Sequence, residues 1–291
     1  MKKCAFLSMD SLQNFDCYDR LLVEPFAQCG WEATEISWRN TEVNWDTFDA
    51  VIIRSTWDYQ QDPEAFFEVL QEINQSSAHL ENSLNTVKWN IDKNYLRDLE
   101  RQGIEIVPSL WPESYAKSHP DVFFEQLQAN EIILKPTISA GADNTFWLNR
   151  DNIEQHRPQM EQVFPHRPFI VQPFMPNILS EGEYSLFYFG KTYSHAILKT
   201  PEKDDFRVQE EHGGRLKTVE PEPKLQSAAE EILTLLDPLP LYTRIDFVRT
   251  PEDRFALMEL ELIEPSLYFN MDPDSPKRFA KTFDEWMRRK Q

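Results

Sequence analysis

Four residues near the C-terminus have the types and the spacing to do chemistry. Arg244 and Asp246 lie two apart in the apolar run LYTRIDFV, and Glu259 and Glu261 lie two apart in RFALMELELI. Side chains on a strand alternate between faces, so each pair shares a face. A hairpin whose four-residue loop is Pro251 to Arg254 pairs Thr250 with Phe255. That register sets Asp246 opposite Glu259 and Arg244 opposite Glu261. Like charges directly across a sheet repel, so three converging carboxylates beside one arginine predict a cation between them. Hard oxygen ligands with room left for phosphate favour magnesium held with a nucleotide. The plainer reading of two alternating glutamates is the wet face of a half-exposed strand. Arg244 and Asp246 on the partner strand weigh against it.

Four further places carry chemistry of a compatible kind. Arg54 ends the apolar run FDAVIIR and Ser55 follows it, and ligands of open α/β sheets bind beyond the carboxyl ends of strands. Arg54 could fork onto a substrate carboxylate, or simply tie down its own loop. Lys93 falls in the first turn of an expected helix, where a bound anion would offset the repulsion between a cation and the helix N-terminus. Lys135 ends EIILKP beside the small-residue loop Ser139, Ala140, Gly141, Ala142, whose backbone N–H groups can approach phosphates. A plain strand-end turn explains that loop equally well. In DDFRVQEEHGG, Arg207 and Gln209 share a face if extended, and Gly213-Gly214 makes a tight turn.

The elements that must position these residues can be read along the chain. Strands are expected at residues 3–9, at EATEISW and at FDAVIIR, with a helix from Tyr18 to Cys29 closed by Gly30. Pro63 opens a helix of period near 3.6. This β-α-β-β-α order predicts a small open α/β sheet. Asn90 or Asp92 can cap a helix that runs to Gln102. Then come a helix near 121–129, strands at EIILKPT, FWLN, PFIVQPF, EYSLFYFG and TYSHAILKT, and a helix within PEPKLQSAAEEILTLLD. The hairpin follows, and a last helix begins at Ser275.

Composition bounds the function. The 291 residues suit roughly two domains of ordinary size, with 41% hydrophobic residues and 20 Phe for their cores. A net charge of −19 argues against nucleic acid or an anionic membrane as partner. It leaves room for ATP in a locally basic pocket. Cys4, Cys17 and Cys29 form no CxxC pair, and the His residues show no zinc spacing. Reduced cysteines, no signal peptide and no apolar run of membrane-spanning length predict a cytoplasmic protein. The state of assembly stays open, a homo-oligomer included.

In this order the signals resemble the ATP-grasp carboxylate–amine ligases, the glutathione synthetase-like and ribosomal-protein glutamate ligase branches in particular. The matching stretches are Asp92-Lys93, LKP at Lys135, VQPF at Val171 to Phe174, EGEYS at Glu181 to Ser185, DFRVQEEHGG, RID at Arg244 and MELE at Glu259. The spacing from Asp246 to Glu259 and Glu261 also resembles the metal triad of D-alanine–D-alanine ligase. RSTWDY and ELELIEPSLYF together are similar to ligases that close D-cycloserine from a hydroxyurea-containing amino acid. Three departures stand out. Glu261 and Gln209 occupy positions where the family has Asn, and the small-residue loop is poor in glycine.

The resemblance implies an ATP-grasp fold of the α/β (α+β) class. It places a leading α/β domain at 1–85, an N-subdomain at 86–171 and a C-subdomain at 172–291. It implies ATP held by Lys93, Lys135, Ser139, Gly141, Gln172, Pro173 and Phe174, with ribose near Glu183. One or two Mg²⁺, with Mn²⁺ as a substitute, would sit on Asp246, Glu259 and Glu261. Arg244 and Arg207 would stabilise an acyl phosphate formed from a small carboxylate substrate before an amine displaces phosphate. Arg54, Ser55, Gln209, Gly213 and Gly214 would bind substrate, and residues 136–146 would form a lid. Two alternatives keep the fold but change the outcome. One is a kinase of small molecules and the other a non-catalytic nucleotide binder.

Overall fold

The computed structural model describes residues 1–13, 15–115, 120–139, 141–203 and 205–290. Ala140, part of the small-residue loop singled out above, lies outside the described residues. The first layer is a parallel sheet of order β2-β1-β3-β4, formed by β1 (Lys2–Ser8), β2 (Trp31–Ser37), β3 (Ala50–Ser55) and β4 (His79–Glu81). Every residue of β3 is buried, as expected of a central parallel strand covered on both faces. Helix α1 (Val23–Gln28) precedes β2 and α2 (Pro63–Gln75) precedes β4. Pro63 fills the first turn of α2, and the Asp62 carboxylate accepts from Ala65 N at 3.2 Å, satisfying a donor that the helix itself leaves free.

The helix expected over 18–29 is shorter than its pattern. Residues Asp19–Leu22 form a 3-10 turn, and α1 begins only at Val23. Pro25 explains this, because a residue without N–H is tolerated in a first turn but not in a helix interior. The helix expected from residue 90 or 92 also divides. Helix α3 (Leu84–Asn90) ends before Lys93 and α4 (Tyr95–Arg101) begins after it. Lys93 therefore sits in the break, its N–H donating to Thr137 O at 2.8 Å.

Two antiparallel sheets complete the fold. Helix α5 (Pro120–Leu127) leads into β5 (Glu131–Pro136) and β6 (Phe146–Asn149), and α6 (Ile153–Val163) into β7 (Phe169–Pro173), giving a three-stranded sheet of order β6-β5-β7. Helix α6 holds Pro158 in its interior, which hides it from pattern reading. After α7 (Asn177–Ser180) come β8 (Glu183–Phe189), β9 (Thr192–Thr200), β10 (Arg215–Thr218), helix α8 (Pro223–Leu235), β11 (Tyr242–Arg249) and β12 (Phe255–Glu261). These strands form a five-stranded sheet of order β10-β9-β8-β11-β12. An extended segment stitches the two sheets together, with Ile106 bridged to Leu257 and Leu110 to Val171. The last helix, α9 (Ser275–Lys290), returns to the N-terminal sheet. Phe283 stacks on Phe26 at 4.9 Å between ring centroids, and Trp31 Nε1 donates to Asp284.

Candidate active site

Strands β11 and β12 pair with Arg244 opposite Glu261 and Asp246 opposite Glu259, the register expected from the sequence at the chemical end of the hairpin. Toward the turn the pairing differs. Arg249 lies opposite Phe255 and Phe247 opposite Leu257, so Met258 is an extra residue on β12 and the turn has one residue more than expected. A bulge of this kind bends the strand and re-aims its side chains. Here Met258, Glu259 and Glu261 all reach the wall of one cavity of about 360 Å³. The edge of β12 is pinned from outside the sheet. Asn90 Nδ2 donates to Leu260 O at 2.8 Å and Asn90 Oδ1 accepts from Leu262 N at 2.9 Å, one on each side of Glu261. Asn90 thus clamps the strand instead of capping a helix. The Tyr95 hydroxyl accepts from Leu260 N at 2.9 Å.

The cavity lies where the three sheets meet, and most of the residues singled out in the sequence line it. Lys93, Lys135, Ser139 and Gly141 come from the β5 side, and Gln172, Pro173 and Phe174 from β7. Glu183, Arg207, Gln209 and Arg244 come from the large sheet and its loop. Phe174 stacks on Trp147 at 4.5 Å, and Gln172 Nε2 donates to Ser109 Oγ. Val107, Ile178 and Val208 form an apolar cluster with Met175 and Met258 packed against it. That is a wall suited to a flat apolar ring.

The carboxylates do not surround a common point. Among the described residues no three His, Cys, Asp or Glu side chains gather as a metal set would. Each acid is turned toward a basic side chain instead. Glu259 pairs with Lys93 at 3.1 Å, Glu261 with Arg244, and Glu183 with Lys199. Asp246 lies off the cavity wall and only 2% exposed. It holds the Arg244 guanidinium at 3.0 Å, accepts from Ser185 Oγ at 2.5 Å and lies 3.6 Å from Lys199. In this arrangement the charge of the carboxylates is balanced by basic side chains. Lys199, at an inward position of β9, supplies charge that the sequence reading did not count. Its only signal there is a lysine alternating with apolar residues in HAILKT.

The electrostatics of these groups diverge although their chemistry is alike. Burial would raise Glu259, but Lys93 and Lys135 outweigh it and hold the carboxyl down to about 2. Burial pushes Glu261 up to about 7 in spite of Arg244. Burial, with Lys93 adding to it, lowers Lys135. Lys199 feels burial in the same sense, yet Asp246 and Glu183 overcome it and raise it. Lys93 links these groups to the small-residue loop, since its Nζ also donates to Ser139 O at 2.9 Å.

Several expected substrate contacts lie elsewhere. Arg54 is 1% exposed, and its Nε and Nη2 both bond Asp19 Oδ1, at 3.0 and 2.8 Å. Its guanidinium is spent inside the fold, on Asp19 and on Pro265 O at 3.2 Å. Ser55 is buried beside it and also off the cavity wall. Gly213 and Gly214 shape the arginine loop without lining the cavity. Gly213 has φ +81, and a Cβ on Gly214 would fall 2.0 Å from Val208 O. Arg207 reaches the cavity but leans on Asp205 at 2.7 Å, a bond that draws the Asp205 carboxyl down to about 2.

Comparison with known proteins fits this geometry. Residues 4–82 match a family described as the N-terminal domain of the D-cycloserine synthetase DcsG. The chain is 27% identical over 272 residues to the cycloserine biosynthesis protein DcsG of Streptomyces lavendulae, covering 88% of this chain and 87% of that protein. The crystal structure of D-cycloserine synthetase DcsG superposes with a TM-score of 0.85 at 24% identity, covering 98% of this chain and 99% of the other. The ATP-grasp ligase PsnB superposes with a TM-score of 0.67 at 14% identity, covering 98% of each chain. No helix among the described residues is long and apolar enough to cross a membrane. In fold the chain is an ATP-grasp protein, and its likeness to DcsG and to the ligase PsnB indicates an ATP-dependent ligase.

Proposed function

We propose that this ligase uses ATP and Mg²⁺ to close an amide within a small amino-acid-like substrate, through an acyl phosphate. One observation carries the reading: a single cavity on which Lys93 and Lys135 meet Glu259 and Glu261. The names of the relatives support it. PsnB is described in complex with Mg and ADP, and DcsG as a D-cycloserine synthetase. The likeness to ligases sets the kinase alternative aside.

The donor set fits the metal. Glu259 and Glu261 offer hard oxygens on the cavity wall, and phosphate oxygens and water can complete the shell that Mg²⁺ prefers. Asp246 then acts one layer back, orienting Arg244. When bound, Mg²⁺ supplies neutralisation of the phosphate charge. Lys93 and Lys135 hold phosphate oxygens, and the apolar wall near Met258 and Phe174 takes the adenine. The substrate carboxylate oxygen attacks the γ-phosphorus, the bond to the β-phosphate oxygen breaks, and ADP leaves. A nitrogen of the same molecule then attacks the acyl carbon, phosphate departs with the bonding electrons, and the nitrogen loses a proton. Arg244 and Arg207 stabilise the negative charge of both steps by position and electrostatics.

The test is to incubate the chain with ATP, Mg²⁺ and an amino acid bearing a hydroxyurea side chain, following ADP and product mass. ADP with a ring-closed product is expected. A phosphorylated substrate without a new amide, or no ADP beyond background, would overturn the reading.

A further inference from the structure

We propose that the part of the cavity formed by Phe15, Trp57, Tyr59 and Glu264 seats a cationic group, the free ammonium of the substrate whose carboxylate is activated. This rests on the ligase reading and narrows it to substrates that carry an amine close to the reacting carboxylate. The first ground is a census of charge. Of the enclosed carboxylates on the cavity wall, Glu183, Glu259 and Glu261 have Lys199, Lys93 and Arg244. Glu264 lines the same cavity and, among the described residues, has no basic side chain within ion-pair distance. The cation nearest to it in effect is Lys93, which is engaged with Glu259 and Ser139.

The second ground is how Glu264 is held and what surrounds it. Trp57 Nε1 donates to Glu264 O at 2.8 Å, fixing the backbone, and Tyr59 is the hydrogen-bond partner of the carboxyl. Phe15 packs on Trp57 with ring centroids 5.5 Å apart. Phe15, Trp57 and Tyr59 all come from the N-terminal domain and all line the cavity. Aromatic faces attract cations, and a carboxylate among them completes a seat for an ammonium. An anionic ligand end would meet only repulsion here. Burial pushes the Glu264 carboxyl up to about 8, the behaviour of an acid that lacks its counter-ion.

The third ground is reach. Glu264 follows Glu261 by three residues, and an α-amino acid carries its ammonium one carbon from its carboxylate. A carboxylate placed for phosphorylation near Glu259 and Glu261 leaves its amine within range of Glu264. Glu264 is thus a specificity-determining residue that touches substrate.

The test is a binding measurement on the full chain held with Mg²⁺ and a non-hydrolysable ATP analogue. The probes are both enantiomers of the hydroxyurea-bearing amino acid and their N-acetyl derivatives. Wild type is expected to favour the free amine over the N-acetyl form by about 10–100-fold, the range of a charge-assisted hydrogen bond. Glu264→Gln should abolish that ratio while N-acetyl and nucleotide affinities stay within about twofold. A ratio near one in wild type overturns the proposal, as does a ratio that survives in Glu264→Gln, an equal loss for both forms, or no free-amine binding at all. Product mass is read separately. Ring closure with no amine preference removes the cation seat and keeps the ligase, whereas amine preference without ring closure does the reverse.

Discussion

Arg54 and Arg244 look alike in sequence and differ in the structure. Both stand in apolar strands beside polar residues, both are buried, and both fork onto a carboxylate, Asp19 and Asp246 respectively. Arg54 is closed off. Besides Asp19 it bonds Pro265 O at 3.2 Å, lies over the Tyr242 and Phe269 rings, and leaves Nη1 without a partner. Arg244 keeps one side toward the cavity and pairs there with Glu261 as well. Behind it Asp246 has a second support in Ser185 and Lys199. A buried arginine enclosed on every side by its own chain is a structural tie. One backed by carboxylate and open in front can act on a ligand.

The comparison breaks if the two arginines respond alike to removal. Arg54→Ala leaves Asp19 buried without its counter-charge, which costs about 3–5 kcal/mol of stability. We expect a thermal midpoint lower by roughly 10 °C and, in the fraction that stays folded, turnover within a few-fold of wild type. Calorimetry and active-site-normalised kinetics check both halves, and a large loss of turnover at unchanged stability would return Arg54 to the substrate. Arg244→Ala should do the opposite. Losing one well-aimed donor costs about 3–4 kcal/mol, or on the order of 100–1,000-fold in rate. Binding of ADP with Mg²⁺ should persist within a few-fold. Parallel loss of binding and turnover would make Arg244 a structural tie like Arg54.

The same pair shows what can be read from a sequence. Strand alternation, a local rule with a period of two residues, put Arg244 and Asp246 on one face, and the expected pairing of Arg244 with Glu261 holds because the extra residue at Met258 cancels the longer turn. The bulge at Met258 escaped them, since nothing in FALMELE marks an extra residue. The partner of Arg54 was out of reach because Asp19 lies 35 residues earlier and meets it only through the fold. The pattern around Lys93 reads as a helix, whereas the break between α3 and α4 gives it its reach to Glu259. Lys199 and Glu264 were passed over for one reason. Each is a lone charge in an apolar or loop stretch, and only tertiary packing brings it to the cavity. The fold itself was plain in the unbroken apolar run of β3, the Pro63 helix start and the antiparallel runs after residue 180.

A sharper version of the comparison concerns the acid behind Arg244. Asp246 was expected to ligate metal, and the structure sets it behind the wall, on Arg244. Asp246→Asn keeps the shape and the Ser185 hydrogen bond but loosens Arg244. Groups that orient a ligand from behind typically cost about 10–100-fold in metal affinity. Mg²⁺ titration of ADP binding should therefore weaken by that amount, less than for Glu259→Gln, which removes an oxygen donor from the cavity wall. An equal effect of the two substitutions would move Asp246 into direct contact with the metal.

The smallest expected effect concerns Glu264, the cavity acid without an ion pair among the described residues. Glu264 titrates at about 8 in the free protein, raised first by burial and then by Glu261, with Tyr59 and Lys93 pulling the other way. An unfolded glutamate titrates near 4.3, so between these values the folded state binds the extra proton. The stability this group contributes is present below about pH 4 and is lost as pH rises through about 8. Glu261, raised to about 7, loses stability in the same direction. Glu264→Gln removes only the first share. The thermal midpoint of the variant minus that of wild type should therefore grow more positive from pH 5 to pH 8.5, by about 2–4 °C for each kcal/mol relieved. A flat profile for Glu264→Gln would mean the carboxylate is already compensated in the free protein, and the contrast between a satisfied buried charge and one awaiting its counter-ion would fail at Glu264.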